Sequence, residues 1–186
     1  MTESQRQELI EKIIELELKM FLAVNNRGGK ANCQESPESF RTMRFMTHSV
    51  LPEKFLKSYK DDLIQAEGDQ RNLMTEKYAL MEGLIPTINS SPAIAELVEM
   101  ESEWRKVVAA EFPLSVRPEG HERFCIYLKG ELQTYSPASL DIYLDYAKKI
   151  QQKQGNLVRD RYEVLMRKLG YNSLTHCEQE LEKKPH

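Results

Sequence analysis

The stretch "RNLMTEKY", residues 71–78, gathers Arg71, Asn72, Glu76, Lys77 and Tyr78 within about two turns of a helix. Cations, a carboxylate, an amide and a phenol at that density can hold an anion or move a proton. They also make an ordinary charged helix face. A second stretch, "GNLVRDRY" at 155–162, repeats the Asn-Leu, the acid, the base and the Tyr, and only Arg71 loses its counterpart, at Gly155.

Two further carboxylates stand out by position. Residues 10, 13, 14, 17, 20, 21 and 24 share one helical face, apolar except for Glu17; residues 94, 97, 98, 101, 104, 105 and 108 form the matching face, with Glu101 at the same place. A carboxylate within an apolar stripe costs several kcal/mol unless it is paired. The same core phase puts Gln70 and Lys77, then Gln154 and Arg161, on faces otherwise made of Leu, Ala, Ile and Tyr. Together these residues predict a polar layer inside a helical bundle. Such a layer is either an ion-pair set that fixes register or a ligand site built from several helices; a wrong phase would leave its residues in solvent.

Which ligand would it take? Glu17, Glu76, Glu101 and Asp160 are four carboxylates on four helices, as in a di-iron bundle, but that chemistry also wants Glu-x-x-His, and positions 79 and 163 are Ala and Glu. His48, His121, His176 and His186 lie elsewhere, so no metal and no cofactor is assigned. A small anion held by Arg71, Lys77 and Arg161, with Arg41 and Arg44 nearby, is chemically easier although no Gly-rich cradle accompanies it. Arg41 and Arg44 share a face of one short helix, and a solvated face is the default for such a pair. In the loop "NNRGGKANCQESP", Cys33 is a nucleophile if a helix N-terminus or a cation activates it, and otherwise an idle thiol.

The elements that must position these groups follow from caps and punctuation. An amphipathic helix over 3–24 ends at "NNRGG", where Gly28 or Gly29 suits a left-handed terminus. Ser36 and Pro37 open a shorter helix to about residue 50. From 53 to 84 one phase persists without proline, predicting a single long helix, with a break near Gly68 as the alternative. Ser91 and Pro92 open a helix to Phe112, a shorter one covers 120–134, and Ser136 and Pro137 begin a long one to Leu169, stopped by Gly170. A last short helix starts near Ser173. Long, short, long therefore occurs twice. A shift of 84 residues aligns Ile10 with Ile94, Tyr59 with Tyr143, Gln70 with Gln154, Asn72 with Asn156 and Tyr78 with Tyr162. The fold expected is an all-α helical bundle of two tandem three-helix repeats, about 3–86 and 87–170, related by a pseudo-twofold. A C-terminal helix and tail over 171–186 complete a single domain, 1–186.

Composition sets the outer bounds. The 186 residues carry 26 Lys and Arg against 29 Asp and Glu, and a net charge of -3 offers no field for nucleic acid or an anionic membrane. Three dispersed cysteines make neither a disulfide framework nor a zinc site. The polar start and the lack of a long apolar run predict a cytoplasmic, bacterial-style protein.

Taken together, "CQESPESFRTMR", "SYKDDL", "RNLMTEKYALME" and "ELQTYS" resemble the bacterial family known as domain of unknown function 4125, over nearly the whole chain. The resemblance implies that the family's polar positions fall on Cys33, Gln34, Phe40, Arg44, Tyr59, Asp62, Arg71, Asn72, Glu76, Lys77, Tyr78, Glu131, Thr134, Tyr135 and Ser136. It implies no chemistry. The functional expectation is a small-ligand-binding or regulatory protein, with Gln34, Arg44, Tyr59, Arg71, Asn72, Lys77, Glu101, Tyr135 and Arg161 toward a small anionic ligand, or a protein partner. The rivals are an enzyme drawing an acid, base or nucleophile from Glu76, Glu17, Tyr78 and Cys33, and a purely structural module.

Overall fold

A computed structural model describes residues 1–24 and 36–183, and within them all regular structure is helical. The helices are α1 (Glu3–Leu22), α2 (Pro37–Ser49), α3 (Glu53–Gly68), α4 (Leu73–Met81), α5 (Pro92–Glu111), α6 (His121–Leu132), α7 (Pro137–Gln152), α8 (Leu157–Lys168) and α9 (Leu174–Glu182). A 3-10 turn, Pro118–Gly120, leads into α6.

The caps explain most boundaries. Thr2 and Gln5 form a reciprocal capping box at the start of α1, Ser136 accepts the Ser139 N–H before α7, and Ser173 accepts the His176 N–H before α9. Ser36 departs from expectation, because its hydroxyl meets Ser39 Oγ at 2.9 Å instead of a backbone N–H; the helix starts there on Pro37 alone. The glycines proposed as the end of the first helix lie outside the described residues.

Each long helix expected from the unbroken phase is in fact two. Gln70 takes φ 57° and Gln154 φ 59°, the left-handed region that closes a helix. The Arg71 N–H then reaches back to Ala66 O at 2.8 Å, and the Gly155 N–H to Ile150 O at 2.9 Å. Gln70 and Gln154 are consequently exposed chain reversals and not members of an inner layer. The break falls at Gln70, just beyond the Gly68 considered as its site. The end of α4 comes early as well: Gly83, at φ 66°, lets the Leu84 N–H bond Ala79 O at 2.8 Å, so the helix stops at Met81.

Asn72 and Asn156 restart the chain. Asn72 Oδ1 accepts the Thr75 N–H at 2.9 Å while its Nδ2 donates to Met20 O at 2.8 Å. Asn156 does the same with Arg159 N at 2.9 Å and Trp104 O at 3.1 Å. Each Asn thereby starts one helix and ties it to a carbonyl of another, Met20 in the last turn of α1 and Trp104 within α5. Replacing Asn72 by Ala removes both bonds, and a loss of about 1–2 kcal/mol is expected. Urea unfolding of the Asn72→Ala and Asn156→Ala variants measures it; a change below a few tenths of a kcal/mol would contradict the dual role.

α1 packs on α2, α3 and α4, while α5 packs on α6, α7 and α8; α3 meets α7, α2 crosses to α8, and α4 crosses to α6. One buried cluster draws on all of these but α2, which packs the half-buried Phe40 and Phe45 against it; Ile13, Phe55, Leu56, Tyr59, Leu63, Leu97, Leu132, Leu140 and Ala147 are each at 0% exposure. Burial of each large side chain among them is worth about 2 kcal/mol. Trp104 belongs to this cluster. A smaller group, Val108, Phe112, Val116, Met166, Leu174 and Cys177, packs under α9. No helix among the described residues is long and apolar enough to cross a membrane.

Candidate functional site

Glu17 comes to the centre because the α1 stripe places it there, and it is completely buried. Arg44 of α2 meets it along one edge of its guanidinium, Nε to Oε2 at 2.8 Å and Nη2 to Oε1 at 2.5 Å. His48, one turn further along α2, sets Nε2 3.0 Å from Glu17 Oε2, and the Tyr59 hydroxyl of α3 donates to Oε1 at 2.8 Å. Arg44 also reaches across to α6, donating to Glu131 Oε1 at 2.8 Å and Oε2 at 3.0 Å. Tyr135 donates to Glu131 Oε1 at 2.7 Å, and Lys77 Nζ to Oε2 at 2.6 Å. Lys77 Nζ also lies 3.4 Å from the Tyr127 ring centroid. Gly130 permits that approach, since a Cβ there would sit 2.9 Å from Met81 Cγ and 3.2 Å from the Lys77 carbonyl oxygen.

A second group lies on the other half. Arg161 of α8 donates to Glu101 Oε2 at 2.5 Å and Oε1 at 2.9 Å; Tyr143 of α7 donates to Glu101 and accepts from Arg161. Three buried carboxylates, Glu17, Glu101 and Glu131, thus face three buried cations, Arg44, Lys77 and Arg161. The charges balance. Among them only Arg161 Nε is a buried nitrogen with no protein partner; His48 Nδ1 is another beside the layer.

Electrostatics fix the protonation of these groups. Burial works to raise Glu17, but Arg44 and His48 outweigh it and bring its pKa to about 2. Burial opposes ionisation of Glu131 as well, and Arg44 and Lys77 hold it well below the usual carboxylate range. Tyr59, Tyr135 and Tyr143 are raised well above 10, by burial first and neighbouring carboxylates with it. At neutral pH Glu17 and Glu131 are therefore ionised, and Tyr59, Tyr135 and Tyr143 are neutral phenols.

A cavity of about 170 Å³ opens against the layer between α2, α6, α7 and α8. Arg44, Glu131, Arg161 and Tyr127 bring polar groups to its lining, and Met46, Leu51, Leu128 and Val158 apolar ones. Met43, 47% exposed, stands where its wall meets solvent.

The sequence-derived candidates divide. Glu17, Arg44, Tyr59, Lys77 and Tyr135 meet in one network, and Glu101 and Arg161 in the other. The solvated face assigned by default to Arg41 and Arg44 is wrong for Arg44, which is 2% exposed; Arg41 alone stays outside, on Glu15 at 2.7 Å. Arg71 and Glu76 bind each other at the surface, at 2.8 and 2.7 Å. Asn72 is a helix cap, and Tyr78 packs 6.2 Å from the Phe21 ring. The four carboxylates compared with a di-iron site are dispersed, with Asp160 exposed. Among the described residues no group of three or more His, Cys, Asp or Glu is placed to hold a metal. Cys33 and Gln34 lie outside the described residues.

Helical periodicity missed His48, Tyr127, Tyr143 and Glu131, the last entering only as one of the resembling family's polar positions. His48 was visible one turn from Arg44, and Tyr143 at the 84-residue offset from Tyr59.

A family model described as Protein of unknown function (DUF4125) matches residues 7–179. Neither the curated proteins nor the solved structures give a match.

Proposed function

The chain belongs to the DUF4125 family, and from that premise we propose that it is a small-ligand-binding helical protein whose site is the cavity against the buried charge layer. The observation that carries this reading is an apolar cavity ending on a charge-balanced, hydrogen-bonded wall. Its size suits a single ring, since a cavity of about 150 Å³ in another protein accommodates benzene. The balance of charges supports a neutral ligand over the anionic one suggested by the cations alone, because each cation already has its carboxylate. A neutral acceptor group near Arg161 would fit the donor that its Nε offers.

The enzymatic alternative gains less support. A carboxylate held near 2 is a weak base at neutral pH, and a phenol raised well above 10 is a weak acid there. The purely structural module is favoured by one observation, the pairing of every carboxylate in the layer, which is why the test below is directed at the cavity.

We also infer that the chain is an internal duplication of four-helix units about a pseudo-twofold. α3 and α7, Glu53–Gly68 and Pro137–Gln152, start and end 84 residues apart. Exchanging α1 with α5, α2 with α6, α3 with α7 and α4 with α8 reproduces the packing pairs described above. The paired roles of Gln70 and Gln154, and of Asn72 and Asn156, support the same inference. The free thiols of Cys125 and Cys177 fit our reading of a reducing, cytoplasmic location.

Thermal unfolding with phenol and with benzoate tests the cavity. Phenol at about a hundredfold its Kd is expected to add about 2.7 kcal/mol to stability. Benzoate, which brings an unmatched charge, is expected to add much less. Val158→Phe fills the cavity and should abolish the phenol effect while costing no more than about 1–3 kcal/mol itself. Equal stabilisation of the parent and Val158→Phe, or by benzoate more than phenol, would overturn the reading.

A further inference from the structure

Several residues singled out by sequence are left unused by the charge layer, and they meet in a second place. A cleft of about 430 Å³ lies where the turn between α3 and α4 faces the junction of α6 and α7. Asp62, Arg71 and Gln133 are among its polar lining residues, with Gln65 and Asn89, and Ala66, Leu73 and Ile88 are among its apolar ones.

Asp62, Gln133 and Arg71 have unspent capacity. Asp62 Oδ2 accepts from Ser136 N at 3.1 Å and Ser139 Oγ at 2.6 Å, and both of these partners are neutral, so its charge is unmatched. Gln133 is only 7% exposed, and its Oε1 is buried with no hydrogen-bond partner. A buried carbonyl oxygen left this way is unfavourable in a packed protein. Arg71 spends Nε and Nη2 on Glu76, so its charge is matched while its Nη1 edge stays open.

The fold does not require this trio. At the 84-residue offset, Asp62, Arg71 and Gln133 correspond to Tyr146, Gly155 and Ser49. The turn between α7 and α8 nevertheless closes with the same left-handed Gln and the same back-bond to the helix. Chain reversal therefore explains neither the carboxylate, the guanidinium nor the buried amide.

We propose that this cleft is a second ligand site and binds a small zwitterion of the amino-acid type. The ammonium group, with three donors and a positive charge, meets Asp62 and Gln133 Oε1. The carboxylate meets the open edge of Arg71, and an aliphatic side chain lies along Ala66, Leu73 and Ile88. The cleft and the cavity have Tyr135 as a common lining residue, but the two ligand proposals stand or fall independently.

Isothermal titration of the full chain with L-leucine, L-glutamine and L-lysine tests the proposal, with N-acetyl-L-leucine and L-leucinamide as derivatives. At least one free amino acid is expected to bind with Kd of about 1 mM or tighter. Leucine's affinity should fall about tenfold or more when its ammonium is acetylated or its carboxylate amidated. Gln133→Met and Asp62→Asn should each cause a comparable loss, whereas Val158→Phe, in the other cavity, should leave binding unchanged. Gln133→Met removes the unpartnered oxygen and is expected to fold; Asp62→Asn keeps an acceptor for Ser136 and Ser139 and provides the second reading. Absence of binding by all three amino acids, acetylated leucine binding as well as leucine, or unchanged affinity in Asp62→Asn overturns the proposal.

Discussion

Replacing Arg44 by Met is expected to cost about 3–5 kcal/mol of folding stability, among the largest losses any single substitution in this chain should cause. The side chain it removes is 2% exposed and donates to two carboxylates at once, Glu17 and Glu131. Methionine can fill much of the volume, so the loss isolates charge from packing. Without the guanidinium, two buried carboxylates share one remaining cation, Lys77, which reaches only Glu131 by a hydrogen bond. Glu17 keeps Tyr59 and His48, but no permanent cation. Removing a charge and its partner together should behave differently. The double variant Glu101→Leu, Arg161→Met takes out a matched pair and is expected to be neutral or stabilising by about 1–4 kcal/mol. Urea unfolding of the two variants with unchanged m-values provides the comparison. A loss below about 1 kcal/mol in Arg44→Met would mean that water reaches Glu17, contrary to its complete burial.

Why Arg44 escaped the helical pattern while Glu17 did not is a matter of contrast. Glu17 is a single polar residue in an apolar stripe, and so is Glu101. α2 has no such background: its only buried residues are Arg44 and His48. Periodicity needs apolar neighbours to reveal a polar exception, and α2 offers too few. The breaks at Gln70 and Gln154 were hidden for the opposite reason. Leu63, Ala66, Leu73 and Lys77 all face inward on both sides of the turn, so the apolar spacing runs through a reversal that the backbone does not continue. Phase gives the face of a residue and not the element opposite it. That is why Lys77 could be placed inside but its bond to Glu131, on a helix of the other half, could not be foreseen.

Within the duplication we propose, the residues that differ at positions 84 apart account for the asymmetry of the layer. Lys77 and Arg161 correspond, yet Arg161 binds Glu101 of its own half while Lys77 reaches Glu131 of the other. The positions of Arg44 and His48 are held in α6 by Leu128 and Leu132, and the position of Glu131 is held in α2 by Thr47. One short helix therefore brings a cation and an imidazole, the other a carboxylate. With Arg44 already on Glu17, the cation of α4 pairs with the carboxylate that crosses from α6. The layer thereby connects the halves through Arg44 and Lys77, in addition to the apolar cluster that spans them.

Acid is expected to unfold the protein through this same layer. Glu17 has a pKa of about 2 in the folded chain against 4.5 for an exposed carboxylate, a difference worth about 3 kcal/mol at neutral pH. Glu131 is displaced in the same direction by Arg44 and Lys77, burial opposing. Between 4.5 and about 2 the unfolded chain binds more protons than the folded one, so stability is present above this window and lost as the pH falls through it. Each carboxylate contributes up to about 1.4 kcal/mol per pH unit, and two titrating together should make the decline steep. Alkali acts on the tyrosines with the opposite sense. Tyr59, Tyr135 and Tyr143 hold their protons above 10 when buried, so their contribution is complete below 10 and declines as the pH rises beyond it. The urea midpoint should accordingly be highest on a plateau between about pH 5 and pH 10. Glu17→Gln should make the acid limb shallower by one proton, and Tyr143→Phe should do the same on the alkaline side. A midpoint unchanged from pH 5 to pH 3 would show that neither carboxylate is held ionised by its neighbours.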